Sequence, residues 1–434
     1  MADVQPLHGF RFAQELVGDP AQTITPPFDV ISPAAQTRYY ERNPYNIIRL
    51  ELGKTYPTDD AFNNNYARAA TTLAEWRLEG VLRQEQTLCY YLYQQRFSYA
   101  GQSYIRTSLL ARVRLEPWDA QVILPHEHTR TKDKEDRLQL LRACSTNFSP
   151  IMCMYDDPQG RIRRVLAHYA EQPEVHIQDE VGEEHLLQPI TDAQQIALIQ
   201  DFFAQRQLYI ADGHHRYTTA LNYRDEIAAQ RGGLSSQDGA NFVFMALIDV
   251  DDPGMLVLPT HRLLFDLTEE QLRQLNAEQL ATNFTVKSLT EATDEAMQER
   301  LASANQQQPS FIIKTAETTL LLTINDHGQQ LMKESGHSEA WNALDVAVVQ
   351  KLLLESQLQI TAEDVAAGHH IRYEHETQQA LQALQTGAAQ VVILLQGIPF
   401  RKVRDVALAD DRMPQKSTYL YPKLITGLVI NPLW

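Results

Sequence analysis

The chain has 434 residues, enough for two or three domains with full cores. It is 44% hydrophobic and 21% charged, with 38 basic against 55 acidic residues and a net charge of −17. So acidic a chain is a poor general binder of nucleic acid or of anionic membrane, and any phosphate site on it must be a local basic pocket.

Cys89, Cys144 and Cys153 form no CxxC pair, and three sparse cysteines are not a disulfide framework. No apolar run approaches the length of a membrane span. The start, MADVQPLHGFRF, lacks the basic and apolar regions of a signal peptide, so a cytoplasmic protein is expected.

In chain order, residues 1–55 read as short extended pieces and turns. ITPPFDVISP carries three prolines and reads as a rigid loop that presents Asp29, either as a turn or cap residue or as a carboxylate on a stiff support. YNIIRLELG reads as a β-like run, and Asp59 to Glu79 as a helix. TLCYYLYQQRF and SYIRTSLLARVRL form a predicted hairpin turning at Tyr99-Ala100-Gly101. Its aromatics are read as core and cross-strand packing.

QVILPHEHTR places His126, Glu127 and His128 directly after an apolar strand, ahead of a helix. The two histidines share a face on an extended chain, a spacing metals use, but no third ligand lies nearby, and a polar active-site edge is the favoured reading. Thr191 to Arg206 reads as a helix opened by a Thr191–Gln194 capping box, with Ile196, Ile199 and Phe203 on one face.

The chain is organised around LYIADGHHRYTTALNYRDE, Leu208 to Glu226. Its first four residues predict a buried strand, Asp212 a helix N-cap, Gly213 a sharp turn, and His214 to about Gln230 a helix ended by Gly232-Gly233. Tyr217, Ala220 and Leu221 form its apolar side, and Arg216 points away from it. A strand, a glycine and a helix N-terminus make an anion site, because free N–H groups and the helix dipole converge there. His214, His215 and Arg216 add donors and charge. Spacing alone equally allows a capped helix with solvated polar residues.

ANFVFMALIDV is a predicted buried strand, and His261 and Arg262 form a further basic pair after the turn Asp251-Asp252-Pro253-Gly254. From Thr268 the composition shifts to Gln, Glu and Ala, with a boundary near Asp266. Phe311 to Ile324 reads as a strand pair, Leu344 to Leu358 as an amphipathic helix, and Val391 to Gly397 as a buried strand. Gly368-His369-His370 echoes the central motif by coincidence. Lys416, Ser417 and Thr418 resemble the end of a phosphate loop whose glycines are absent. GLVINPLW closes a core or covers a partner subunit, and the oligomeric state is not legible. The expected class is α+β, with residues 1–265 as one domain, 266–335 as a small α/β subdomain and 336–434 as a C-terminal α/β portion.

ADGHHRY, PHEHT with KEDRLQLLRA, PTHRL and MPQKSTYLYPKL, with PPFDVIS and YNIIRLELG, resemble the signature segments of the bacterial and archaeal family called domain of unknown function 1015. The resemblance runs from about Phe10 to Leu433. Its DGHHR segment is similar to the phosphate-binding turn of the ParB/sulfiredoxin-like fold, which implies such a core carrying an inserted hairpin. Sulfiredoxins carry Gly-Cys-His-Arg there, free-serine kinases Gly-His-Thr-Arg, and ParB proteins hold CTP on the equivalent turn. Here His214 occupies the cysteine position, and no DNA-reading helix-turn-helix is visible. Gly213, His214 and Arg216 match the kinase pattern, with His215 in place of its threonine.

The resemblance therefore implies a nucleotide-dependent phosphotransferase acting on a small hydroxyl compound, serine-like, with ATP or ADP and Mg²⁺. In it the turn from Gly213 to Arg216 holds the phosphates, Asp212 serves as cap or Mg²⁺ partner, Arg216, His214 and His215 neutralise charge, and Glu127, then Asp29, is the base. His261, Arg262, Lys416 and Ser417 complete the polyanion pocket. A nucleotide-sensing regulatory or scaffold protein is the alternative. A metal-dependent hydrolase using His126, His128, His214 and His215 is a weaker one.

Overall fold

In the computed structural model, which describes all residues except 128–131 and 290–292 and only the backbone of 132–134, strands Tyr90–Tyr99 and Gln102–Arg114 form the predicted hairpin. Ala100 (φ 48°) and Gly101 (φ 77°) both adopt the left-handed conformation that a two-residue hairpin loop demands. His128, singled out from the sequence, lies outside the described residues.

The hairpin is the middle of a nine-stranded mixed sheet. The strand order runs Ile123–Leu124, Leu208–Asp212, Ile151–Tyr155, Phe242–Asp249, Gln102–Arg114, Tyr90–Tyr99, Glu184–Ile190, Val175–Gln178, and Val4–Gln5 also pairs with Gln102–Arg114. Leu208–Asp212 runs parallel to Ile123–Leu124, and Phe242–Asp249 parallel to Ile151–Tyr155; the remaining pairs are antiparallel.

Alternation gives the sheet two unlike faces. Tyr90, Leu92, Leu109, Ala111, Cys153, Ile210 and Leu247 point to one face. There Ile162 and Val165, Ile199 and Phe203, and Tyr217 and Ala220, from three helices, close a single apolar core over them. On the other face, the row Arg106–Gln95–His185 and the next row Ser108–Tyr93–Leu187 carry buried polar groups.

Several local expectations change. Ile48–Glu51 is helical, not a strand. Buried Asn46 accepts from Ile48 N–H and donates to the Gln22 and Ile24 carbonyls, a tertiary clamp that overrides the β-branched run. The helix expected from Asp59 begins at Asn65, because Asp60 accepts from Phe62 and Asn63 and makes a turn, and Asn64 caps. Asp192, not Thr191, caps helix Ala193–Phe203, accepting from Gln194 and Gln195. The proline-rich loop contains a short 3₁₀ turn, Phe28–Val30.

The chain divides into two compact units: residues 1–125, 129–255 and 422–434, and residues 126–128 and 256–421. Strands on both sides of residue 335 share one antiparallel six-stranded sheet, joined where Ser310–Lys314 pairs with Val391–Leu394. Its order is Phe284–Ser288, Thr319–Ile324, Ser310–Lys314, Val391–Leu394, His261–Leu264, Ile371–Glu374. In this second unit the amphipathic segment is an α turn, Asp345–Val348, continued by a nine-residue π-helix, Val349–Gln357. Gly368 ends a helix ahead of a strand, the reverse of the central motif's order.

The tail closes the first unit's own core. Asn431–Pro432 pairs with Thr146–Asn147, and Leu433 packs with Leu138, Leu141 and Tyr223.

Candidate functional site

Strand Leu208–Asp212 is followed at once by helix His214–Arg231, as expected. What the sequence does not reveal is a β-bulge: Ile210 pairs with Cys153, yet Asp212 pairs with Met152. One extra residue moves Asp212 off the apolar face that Ile210 shares with the helices. Gly213 then turns with φ +98° and caps the helix with no side-chain hydrogen bond.

Asp212 is therefore not the helix cap that was expected, because its carboxylate is engaged by two cations. Its Oδ1 accepts from Lys423 Nζ at 2.8 Å and its Oδ2 from Arg216 Nη2 at 2.9 Å. Burial alone would raise the Asp212 carboxyl. Lys423 and Arg216, with His214, outweigh that and hold it well below the usual carboxylate range. Two permanent positive charges against one negative leave a surplus of positive charge at the start of an 18-residue helix.

Arg216 also donates to the Pro150 carbonyl at 2.7 Å and to Ser149 Oγ at 3.3 Å. Its guanidinium lies over Gly213, where a Cβ would come within 3.0 Å of Nε and Nη2. The arginine does leave the helix's apolar side, but it is anchored to the protein by three groups.

Behind Arg216 the polar chain continues inward. Ser149 Oγ donates to Glu51 Oε1 at 2.9 Å, and Arg137 lies 3.4 Å from the same oxygen and donates to the Glu51 carbonyl. Glu51, Arg137, Ser149, Arg216 and Thr219 line a cavity of about 40 Å³, room for a water or two. Burial raises the Glu51 carboxyl despite Arg137 and Ser149. Arg137 also stacks 4.1 Å from the Phe28 ring, and the next residue, Asp29, is exposed on its 3₁₀ turn.

Of the other expected site residues, His214 is buried and His215 half-buried at the helix start. His126 and Glu127 belong to the second unit, where His126 accepts from Met413 N–H and sets its ring edge-on to Phe400. Glu127 is half-buried, its Oε1 3.9 Å from His126 Nε2.

His261 and Arg262 do not offer the free cations expected of them. His261 Nδ1 accepts from Leu395 N–H and its Nε2 bonds Thr377, and burial lowers its pKa to about 4, so it is neutral. Buried Arg262 donates to the Thr260 carbonyl and lies over the Tyr373 ring. The Ser417 hydroxyl donates to the Pro414 carbonyl, and Lys416 is exposed.

Sequence reasoning missed Lys423, which lies in the same MPQKSTYLYPKL stretch as Lys416, where KST resembled the end of a phosphate loop. It also missed Glu51, Arg137 and Ser149, which no local signal marks.

All three cysteines are free and buried, and burial pushes Cys89 up to about 11 and Cys144 to about 12. Neither is a ready nucleophile. Among the described residues, Asp179, Glu183 and His185 have ligand atoms within 4.8 Å of one another, the spacing of a metal group. The histidines considered for a hydrolase, His126, His214 and His215, are not among them. No helix among the described residues is long and apolar enough to cross a membrane.

A family model described as a protein of unknown function (DUF1015) matches residues 4–347. No curated protein matches the chain. Among solved structures, a conserved hypothetical protein from Pyrococcus furiosus is similar at 12% identity and TM-score 0.36, covering 75% of this chain and 97% of that one. A free serine kinase in complex with AMP is similar at 12% identity and TM-score 0.37, covering 74% and 92%. SbnI with a C-terminal truncation, from Staphylococcus aureus, is similar at 13% identity and TM-score 0.36, covering 75% and 87%.

Proposed function

Starting from the premise that this chain belongs to the DUF1015 family, whose description leaves activity open, we propose that it binds a nucleotide at the Gly213 turn and transfers a phosphoryl group to a small hydroxyl compound. The observation that carries this reading is the paired placement of Arg216 and Lys423 on Asp212 beneath a glycine-capped helix N-terminus. Backbone N–H groups, the helix dipole and net positive charge favour a polyanion at that turn. ATP or ADP is the proposed nucleotide. Mg²⁺ would arrive with its phosphates, because Asp212 is already matched by two cations.

Phosphoryl transfer asks mainly for positioning and charge neutralisation. Arg216, Lys423, His214 and His215 would neutralise the phosphates. A carboxylate would take the acceptor proton as its oxygen attacks phosphorus and the nucleotide leaves.

Glu127 is the proposed base. The parallel pairing of Ile123–Leu124 with Leu208–Asp212 sends both strands' carboxyl ends toward one edge of the sheet, where open α/β sheets bind ligands. Asp29 is the second candidate.

One observation favours binding without turnover, as in a regulatory protein. Arg216 is already satisfied by three protein acceptors and would have to exchange them for phosphate.

The test is a thermal-shift panel with ATP, ADP, CTP and GTP, each with and without Mg²⁺, on the wild type and Arg216→Lys. A shift with one nucleotide, reduced in the variant, supports the site. Transfer of labelled phosphate to serine, abolished in Glu127→Gln, separates the kinase from the sensor. No shift with any nucleotide overturns both readings.

A further inference from the structure

Among the described residues the largest fully buried side chain is a cation. Arg106, on strand Gln102–Arg114, is 0% exposed. It lies on the polar face of the nine-stranded sheet, in register with Gln95 on the neighbouring strand. Its Nε donates to Gln95 Oε1 at 3.2 Å, and Nη2 donates to the same oxygen. Nη1 is buried and has no partner among the described residues.

Among the described residues no carboxylate forms an ion pair with this guanidinium. Burial lowers its pKa to about 10, which still leaves it protonated at neutral pH, and Tyr93, Asp252, Glu183 and Asp212 favour the charge from beyond ion-pair reach. A buried arginine ordinarily meets a carboxylate through two parallel N–H bonds, and leaving the charge without one is costly.

A second donor shares the position. Ser108 lies two residues along the same strand, hence on the same face, and its hydroxyl is buried and without a partner among the described residues. A guanidinium N–H and a hydroxyl, both desolvated and side by side, are the donor set for a small carboxylate.

The placement also ties this pair to the anion turn. Gln95 accepts from Arg106 and donates through Nε2 to the Lys423 carbonyl at 3.0 Å, and Lys423 holds Asp212. Asp212 faces the Arg106 side of the sheet because of its bulge.

We propose that Arg106, with Ser108, binds the acid group of the acceptor, so that the acceptor class is a small hydroxy acid or hydroxy amino acid rather than a neutral or cationic alcohol. The inference rests on the phosphotransferase reading for the reaction, but the binding step stands apart from it and is tested separately.

The experiment compares acid and acid-free acceptors on the wild-type protein. L-serine against ethanolamine, and glycerate against glycerol, are offered with the nucleotide that gives a thermal shift. The acids are expected to show a KM at least ten-fold lower than their partners. Arg106→Lys is expected to raise the KM for L-serine about ten-fold or more, with nucleotide affinity changed less than two-fold. Ser108→Ala, which keeps the cation, is expected to raise it several-fold.

Equal KM values for acid and acid-free acceptors overturn the proposal, as does an Arg106→Lys or Ser108→Ala protein that folds and keeps the wild-type KM. Should no nucleotide bind or no phosphate move, the transfer reading fails first. The acid site is then judged by thermal shift with L-serine or glycerate alone. A rise in melting temperature absent with ethanolamine and lost in Ser108→Ala supports it. No rise with either acid overturns it.

Discussion

Lys423 follows Asp212 by 211 positions, yet its ammonium lies 2.8 Å from the Asp212 carboxylate. The last segment of the first unit thus supplies a cation to a turn made in the middle of the chain. Lys423→Met leaves Asp212 with Arg216 as its hydrogen-bonded cation among the described residues and halves the positive charge that the two supply at the turn. Nucleotide affinity is expected to fall on the order of ten-fold, the loss of one charge-assisted contact. Titration calorimetry on a variant with unchanged far-ultraviolet circular dichroism checks this, and an unchanged Kd would show that Lys423 serves only to anchor the tail.

Gly213 answers to two constraints at once. Its φ of +98° disfavours any side chain, and a Cβ would meet the Arg216 guanidinium at 3.0 Å. Gly213→Ala is expected to cost about 1–2 kcal/mol of stability, the price of a left-handed residue, and to push Arg216 from its place between Asp212 and Pro150. Urea denaturation reads the first effect and nucleotide affinity the second. A variant that loses stability but binds normally would separate the turn's strain from the arginine's position.

The strand–glycine–helix unit and the hairpin at Ala100-Gly101 were legible because turn chemistry and hydrophobic period are local. The role of Asp212 was not. Whether a residue in a strand is supernumerary depends on the register of the partner strand, here Ile151–Tyr155, and one extra residue reverses the face a side chain meets. Lys423 and Lys416 look alike in sequence, and only the fold separates the lysine that reaches Asp212 from the one that is exposed. Ile48–Glu51 looked like a strand because Asn46, its clamp, acts through carbonyls more than twenty residues away. The pairing of Ser310–Lys314 with Val391–Leu394, across residue 335, is likewise invisible to composition.

Glu51 tests how the site is supported from behind. It is 3% exposed and bonded to Ser149 and Arg137, themselves buried. Glu51→Ala leaves Arg137 beside an unfilled polar cavity, a loss of about 3 kcal/mol or more by the rule for breaking a buried pair. Glu51→Gln keeps an acceptor for Ser149 and is expected to cost about half as much or less. Equilibrium urea unfolding of the two variants decides this. Equal losses would mean that the charge of Glu51, not its hydrogen bonds, holds Arg137.

Asp252 and Asp212 should pull stability in opposite directions with pH. Burial raises the Asp252 carboxyl to about 6, more than its bonds from Gly254 and Thr107 N–H and the charge of Arg106 lower it. The folded protein therefore binds more protons than the unfolded chain between about pH 4 and 6, and this group's contribution falls as pH rises through that window. Asp212 is held below the usual range, so its contribution is full above the ordinary carboxylate pKa and is lost as pH falls through its depressed folded value. Asp252→Asn removes the first effect and leaves the second. The melting temperature of the variant minus that of the wild type should thus climb between pH 4 and pH 7, by an amount equivalent to at most about 3 kcal/mol. The comparison is of slopes, because asparagine keeps one acceptor oxygen where the carboxylate uses both, for Gly254 and Thr107. A difference that stays level across this range would place the Asp252 carboxyl at its ordinary value and leave Arg106 with an ionised neighbour throughout.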